Sequence, residues 1–318
     1  MVQDLRVRPF GKTDLRVSEY GVGCARIGGI FQRDPRAFVE LLSAARDAGI
    51  NFFDTADMYS QGESETLLGR AFRRRRDRVV IATKAGYLLP ARRMLAARVK
   101  PLLRPLIRLL KLRRDRLPAG ARGALAQDFS PAYLRKAVEG SLRRLRTDYL
   151  DLFQLHSPPA EVVERGEWEP TLESMKRAGK IRYWGVAVDT IDAGLAALKY
   201  PGVSSIQFTL NLLEQRAIEG LLPRLRERGV AYIARETLAN GILAKGPADV
   251  DLASYCATAE DRADKEAKLA KYRGVAAECG HPLTRVALEW VTGVDGVSVS
   301  LLGVRTMEQL RGLLAHVR

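Results

Sequence analysis

The chain has 318 residues, 47% of them hydrophobic, and a formal net charge of +15. That apolar content is ample for a packed core, yet no apolar run approaches the ~18 residues of a membrane-spanning helix. Met1 to Asp4 lack the apolar core of a signal peptide, and the three cysteines, Cys24, Cys256 and Cys279, are odd in number and far apart, which points to free thiols in a reducing, cytoplasmic compartment.

In chain order, residues 5–10 and 15–17 flank the turn-forming run Gly11, Lys12, Thr13, Asp14 and read as a small hairpin. Strands and helices then alternate. Residues 20–23 read as a strand and 35–47 as a helix; 51–54 as a strand and 64–75 as a helix with Ser64 as N-cap. Residues 79–84 read as a strand. Residues 131–145 read as a helix, with Ser130 as N-cap and Pro131 at the first helical position. Strands over 149–155, 181–186 and 204–208 precede helices over 169–178, 190–198 and one running to Arg228. A strand over 231–234 leads through a polar loop to helices around 262–279 and 283–291. A strand over 297–302 and a helix over 306–314 complete the chain.

Apart from the hairpin this gives eight βα units. The strands are short and apolar, as expected where both faces are buried. The pattern predicts a single-domain α/β chain, 1–318, folded as a closed (β/α)8 TIM barrel with an N-terminal β-hairpin. An open, doubly wound sheet is the alternative, but it calls for an early G-x-G-x-x-G turn. Gly21, Val22, Gly23 are followed by Cys24, Ala25, Arg26, so that fingerprint is absent.

In such a barrel the chemistry sits at the C-terminal ends of the strands. Strand two ends at Asp54, with Tyr59 just beyond; strand three ends at Lys84; strand four runs into His156. Singly, each has a structural reading: a cap, a packed ring, a solvated ammonium, a satisfied imidazole. Together, at successive strand ends, they converge on one mouth. A tyrosine hydroxyl, pKa ~10, is a weak acid at neutral pH. A nearby lysine favours the phenolate, and an aspartate keeps that lysine charged and placed. A histidine orients a carbonyl or relays its proton. Such a group protonates a carbonyl oxygen while hydride arrives from elsewhere. No side chain donates hydride, so a nicotinamide cofactor is required. His156, His281 and His316 are too scattered for a metal site, and none is expected.

The chain resembles the aldo-keto reductase family over nearly its whole length. The matching runs are Asn51-Phe52-Phe53-Asp54-Thr55-Ala56 with Tyr59 and Gly62-Glu63-Ser64-Glu65, then Ala82-Thr83-Lys84, Ser141-Leu142-Arg143-Arg144-Leu145 with Thr147-Asp148-Tyr149, Gln154-Leu155-His156, Gly179-Lys180-Ile181-Arg182 and Leu301-Leu302-Gly303-Val304-Arg305. The resemblance implies a catalytic tetrad of Asp54, Tyr59, Lys84 and His156, with Tyr59 as the acid. It also implies NADPH (NADP) lying across the mouth against Cys24, Asp54, Ala187, Gln207, Arg235, Leu238, Lys245, Gly303, Arg305, Thr306 and Gln309. Four places depart from the family pattern, one of them Gly312-Leu313 in place of the usual Glu-Asn that follows the Gln of the adenine clamp. Ala187-Val188 replaces the usual Ser-Asn that holds the nicotinamide amide. Arg235-Glu236-Thr237-Leu238 replaces an aromatic residue followed by Ser-Pro-Leu. Lys245-Gly246 reverses the usual Gly-Lys.

The segment between Lys84 and Pro131, an insertion at about 87–128, is longer than the family usually carries. Residues 92–116 hold ten basic residues against one acid, so nine of the fifteen net charges sit there. Leu103, Leu106, Ile107 and Leu110 face away from Lys100, Arg104, Arg108 and Lys111 at helical spacing. A helical flap, a surface for an anionic substrate and a membrane-surface contact all fit. Nucleic acid does not, because no aromatic residue for base stacking follows Tyr87 in the insertion. The preferred reading is therefore an NADPH-dependent reductase acting on a small-molecule aldehyde or ketone, with an anionic one favoured by the insertion. Its alternatives are a nicotinamide-nucleotide-binding sensor or scaffold with little turnover, and a polyanion- or membrane-associated adaptor.

Overall fold

The computed structural model of the chain describes residues 5–28, 34–88, 125–246 and 250–317. The expectations placed on residues 91–116 lie outside the described residues.

Strands β1 (Val7–Pro9) and β2 (Arg16–Ser18) pair antiparallel as the expected hairpin. The other strands are β3 (Tyr20–Gly23), β4 (Phe52–Asp54), β5 (Val80–Ala85), β6 (Leu150–His156), β7 (Ile181–Ala187), β8 (Val203–Thr209), β9 (Ala231–Arg235) and β10 (Val297–Gly303). Each pairs in parallel with the next, and β10 pairs with β3, so the sheet closes into an eight-stranded barrel. The helices are α1 (Pro35–Asp47), α2 (Glu63–Phe72), α3 (Pro131–Leu145), α4 (Ala160–Arg165), α5 (Glu169–Arg177), α6 (Ile191–Ala197), α7 (Ala217–Gly220), α8 (Leu222–Arg228), α9 (Ala259–Glu278), α10 (Leu283–Gly293) and α11 (Met307–Val317). This is the (β/α)8 barrel that the alternation predicts.

The pleat sorts the strand residues into two sets. Phe53, Ile81, Phe153, Leu155, Ile206, Phe208 and Leu302 point outward and pack with the helices. Phe52, Val80, Ala82, Leu152, Ala231, Ile233, Val299 and Leu301 form a second cluster inside the barrel, and Phe10, Leu15 and Val17 of the hairpin complete it from the N-terminal end. Asn51, expected as the first residue of a strand, lies just before β4. It fastens the hairpin there: its Oδ1 accepts from Ser18 N (2.7 Å) and its Nδ2 donates to Arg16 O (2.9 Å).

Some local expectations are corrected. Ser64 is not the N-cap of α2; Gly62, at φ +82°, holds that position. The Ser64 hydroxyl instead meets Thr55 Oγ1 (2.8 Å) and Cys24 O (3.1 Å), binding the helix to two strand ends. The helix expected to run unbroken to Arg228 is split at Leu221 into α7 and α8, where Pro223 opens the second piece. Helix α4 was not expected; it is short and buries only Val163. Ser130 caps α3 as expected, and Thr190, expected inside the next helix, is the N-cap of α6.

Candidate active site

Counting in steps of two from the apolar barrel interior leads directly to the mouth. Phe52 is followed on its face by Asp54, Ala82 by Lys84, Leu152 by Gln154 and His156, and Ile233 by Arg235. The inward-facing row changes from hydrocarbon to ionisable groups at the C-terminal end of the strands.

Lys84 is 1% exposed. Its ammonium donates to Asp54 Oδ1 (2.7 Å), Asp54 Oδ2 (2.6 Å) and Thr55 O (2.9 Å), so all three of its N–H donors are used. Asp54 is further held by Gln207 Nε2 (2.9 Å) and, more distantly, Gln154 Nε2 (3.5 Å). Burial lowers the Lys84 pKa and the Asp54 charge opposes that shift. A buried ion pair persists only with such complete pairing.

Tyr59 reaches the pair from the loop after β4. It opens a turn in which Ser60 (φ 51°), Gln61 (φ 58°) and Gly62 (φ 82°) all take left-handed backbone. Two non-glycine residues held there store strain, a feature that concentrates at functional sites. The loop is tied down by Asp57 N–H to Lys84 O (2.9 Å) and Ser60 Oγ to Ile27 O (2.9 Å). Lys84 Nζ lies 5.4 Å from the Tyr59 ring centroid. The sequence suggests that this lysine lowers the tyrosine pKa, and the structure corrects that expectation. Burial and then the Asp54 charge push the Tyr59 hydroxyl far above its ordinary value, and Arg235 is the cation that opposes them. Tyr59 therefore keeps its proton at neutral pH.

His156 stands edge-on to Tyr59, with ring centroids 5.7 Å apart, and edge-on to Tyr87 at 4.9 Å. Burial, with Lys84 and Arg235 nearby, holds its pKa well below the usual value, so the ring is neutral at pH 7. Its Nδ1 is buried without a hydrogen-bond partner. Gln127 Nε2 donates to the carbonyls of His156 (3.2 Å) and Ser157 (2.8 Å), fixing the turn at the left-handed Ser157 (φ 52°).

The other site candidates fall into four groups. Gln207 and Arg235 are at the mouth. The Arg235 side chain is 22% exposed and donates to Asp189 Oδ1 (2.5 Å), Val188 O (3.1 Å) and Thr209 Oγ1 (3.3 Å). Cys24, Ala187 and Leu238 line the surrounding packing. Cys24 and Ala187 are fully buried, and burial pushes the Cys24 thiol far up. Leu238 packs against both neighbouring clusters. Lys245, Gly303 and Arg305 are exposed. Thr306 and Gln309 act on the backbone at the start of α11: Gln309 N–H donates to Thr306 Oγ1 (3.1 Å), and Arg305 N–H donates to Gln309 Oε1 (2.9 Å). The Gln207 amide, expected on the cofactor, gives one of its N–H groups to Asp54.

Sequence reasoning missed Gln154, Asp57, Tyr87, Gln127 and Tyr133. Gln154 was readable from the pleat, two residues before His156 on the same face. The others depend on contacts between distant segments.

The residues fit a nicotinamide dinucleotide by charge. Arg305 and Lys245 are exposed cations with no ion-pair partner among the described residues, and a Cβ added at Gly303 or Gly241 would meet nothing within 4 Å. No cluster of His, Cys, Asp and Glu among the described residues could hold a metal ion. No helix among them is long and apolar enough to cross a membrane.

Comparison with known proteins sets this site in its class. The Aldo/keto reductase family model matches residues 20–317, and the chain belongs to that family. It is an NAD(P)H-dependent oxidoreductase of the carbonyl-reducing type. Among its relatives, the uncharacterized oxidoreductase YqkF of Bacillus subtilis (strain 168) is 32% identical over 245 residues, which cover 77% of this chain and 69% of that protein. The NADH-specific methylglyoxal reductase of Escherichia coli (strain K12) is 30% identical over 242 residues, covering 74% and 68%. The holo form of the aldo-keto reductase AKR11C1 from Bacillus halodurans superposes with a TM-score of 0.76 at 26% identity, covering 99% of this chain and 91% of that one.

Proposed function

We propose that the protein reduces an aldehyde or ketone to the alcohol using NADPH, with Tyr59 as the general acid. The observation that carries this reading is a protonated, partly buried Tyr59 set over a fully paired Lys84–Asp54 couple and beside a neutral His156. The cofactor supplies hydride when bound. The residues of the chain do the rest. The Tyr59 hydroxyl gives its proton to the carbonyl oxygen as negative charge develops there. Neutral His156 orients that oxygen, since an imidazole without charge can offer a hydrogen bond and leave the acid to Tyr59. Lys84 and Arg235 are the cations available to a phenolate forming on Tyr59. Exposed Arg305 and Lys245 suit the additional phosphate of NADPH, which NADH lacks.

The charge concentrated in residues 92–116 favours an anionic carbonyl substrate. A reducing, cytoplasmic setting is supported by three cysteines, all of them free thiols. Parallel fluorescence titrations with NADPH and NADH test the cofactor choice; equal or tighter NADH binding would reverse it. Replacing Tyr59 by Phe removes only the hydroxyl. It is expected to lower turnover by ~10²–10⁴-fold while leaving NADPH affinity within a few-fold. Near-normal turnover in Tyr59→Phe would remove that residue from the mechanism.

A further inference from the structure

A second buried ionisable group lies behind Tyr59. Asp57 sits two residues before it, in the same loop, and faces the first turn of α3. Tyr133 Oη is 3.1 Å from Asp57 Oδ2 and 3.2 Å from the carbonyl oxygen of Tyr87. The other carboxyl oxygen, Asp57 Oδ1, is buried without a partner. Tyr87 is the residue whose ring stands against His156. Asp57, Tyr133 and Tyr87 thus join the loop carrying Tyr59 to the surface that holds His156.

Counting protons decides the state of this chain. A phenolic hydroxyl has one hydrogen to give. The Tyr87 carbonyl can only accept. If Asp57 were ionised, it too could only accept, and Tyr133 would face two acceptors with one proton. Its unpartnered Oδ1 would also carry charge in a buried place, which is costly. A protonated Asp57 resolves both problems. It donates through Oδ2 to Tyr133, Tyr133 donates to Tyr87 O, and a neutral carbonyl oxygen is left at Oδ1.

We propose that Asp57 is carried as the neutral acid and, through Tyr133 and Tyr87, is a positioning residue for Tyr59 and His156. Its ionisation releases the Tyr59 loop from the His156 wall. This inference rests on the assignment of Tyr59 and His156 as the reacting pair. The surroundings agree with it. Burial and then the Glu65 charge push the Asp57 carboxyl up to about 7, against Arg144, the Tyr133 contact and the Met58 backbone N–H. The charged or titratable groups facing it are Glu65 on α2 and Arg144 and Tyr133 on α3; Asp128, just before α3, acts on Tyr133, and the backbone carbonyl of Lys84 on β5 accepts the Asp57 N–H (2.9 Å). Arg144 is paired with Glu65 (2.5 Å), so the one cation facing Asp57 is already engaged by another carboxylate.

The test uses the whole protein and the small number of histidines. With only His156, His281 and His316 in the chain, the imidazole resonances can be assigned by substitution. His156 itself titrates well below the usual range, so its NMR signal should be flat near neutrality unless a neighbour changes. The expected result is a shift of the His156 resonance with a midpoint near pH 7 in the native protein, absent in Asp57→Asn. Asparagine keeps the donor to Tyr133 and cannot ionise. Thermal stability should follow the same course. A carboxyl whose folded pKa is raised contributes fully below about pH 4, its unfolded range, and loses that contribution as pH rises toward about 7. The Asp57→Asn variant should lose none over that window.

In turnover, the native enzyme should show a falling limb near pH 7 in kcat that Asp57→Asn lacks, with activity at pH 6 within about three-fold of native, a few-fold being the cost of a conserved hydrogen bond. Tyr133→Phe should lower kcat more than it raises KM. A flat His156 resonance in the native protein, or the same transition in Asp57→Asn, would overturn the proposal. The resonance needs neither cofactor nor substrate. A transition abolished by Asp57→Asn in a protein inactive on carbonyls would therefore count against the reductase reading and leave the Asp57 link standing. An active enzyme without the transition would do the reverse.

Discussion

Tyr59 keeps its proton because burial, and then the Asp54 charge, disfavour its phenolate. The acid is thereby held in its useful form, and its conjugate base meets cations only once a charge develops. The Lys84 ammonium is bound by both oxygens of Asp54 and by Thr55 O, so its own charge is balanced in place. The balance is also structural. Lys84→Met would leave the Asp54 carboxylate, 4% exposed, with only the two glutamine amides. Breaking a buried pair in this way costs about 3–5 kcal/mol. Chemical denaturation should show a loss of that order together with loss of carbonyl reduction. A loss below about 1 kcal/mol, the range of exposed ion pairs, would mean that water reaches the pair in the native state.

Much of this residue-level arrangement is legible in the sequence, and the reason is the pleat. Asp54, Lys84 and His156 each follow an apolar strand at the spacing of its inward face, so closure of the barrel brings them together whatever the loops do. The tyrosine is less legible. Its placement needs three consecutive left-handed residues, and only Gly62 announces one. For the same reason Ser64 looks like a cap in the sequence, although the turn hands that position to Gly62. The direction of the Tyr59 pKa was unreadable, because it depends first on how deeply the fold buries the hydroxyl. Asp57 and Tyr133 are 76 residues apart, and nothing local in either stretch announces their contact.

At the scale of elements, α2 and α3 act as a paired support behind β5. Glu65 of α2 is fully buried; it accepts from Arg144 of α3 and from Thr83 of β5 (2.7 Å). Gly69 lets the helices approach. A Cβ at that position would lie 2.4 Å from the Leu145 carbonyl oxygen, a backbone atom that cannot rotate aside. Gly69→Ala gains helix propensity, ordinarily ~1 kcal/mol in a helix interior. Here the overpacking should win, with a net destabilisation of about 1–3 kcal/mol in the denaturation midpoint. A neutral or stabilising result would show that the two helices can slide apart without cost. Because Tyr133 belongs to α3 and the Tyr59 loop leads into α2, the same substitution should also weaken turnover.

At the scale of the whole molecule, the insertion is joined to the barrel by two closely tied feet. Tyr87 pairs with Gln127 in an antiparallel bridge, Leu88 N–H donates to Ala126 O (2.8 Å), and Asp128 N–H donates to Gly86 O (2.8 Å). Replacing residues 91–116 by a short Gly/Ser linker should therefore leave the melting temperature nearly unchanged, because loop closure costs only ~0.6 kcal/mol per doubling of length. The replacement is expected to raise KM for an anionic carbonyl more than for a neutral one, and to remove the salt dependence of the former, since exposed charges are screened beyond ~8–10 Å at physiological ionic strength. Equal changes for both substrates would assign the insertion no part in substrate capture. Unfolding would assign its leucines to the core.

The apolar filling of the lower barrel has a consequence for the traffic of protons. Phe10, Leu15 and Val17 stop the N-terminal end, and the inward hydrocarbon of β4, β5, β6, β9 and β10 occupies the space above them. Hydrocarbon offers no chain of acceptors along which a proton can hop. The Lys84 ammonium therefore exchanges its hydrogens with solvent through the mouth, past Tyr59 and His156. Anything that fills the mouth corks that route. The buried ammonium thus becomes a clock inside the site: the lifetime of its hydrogens measures how long the mouth stays shut, for any ligand, whether or not a reaction follows.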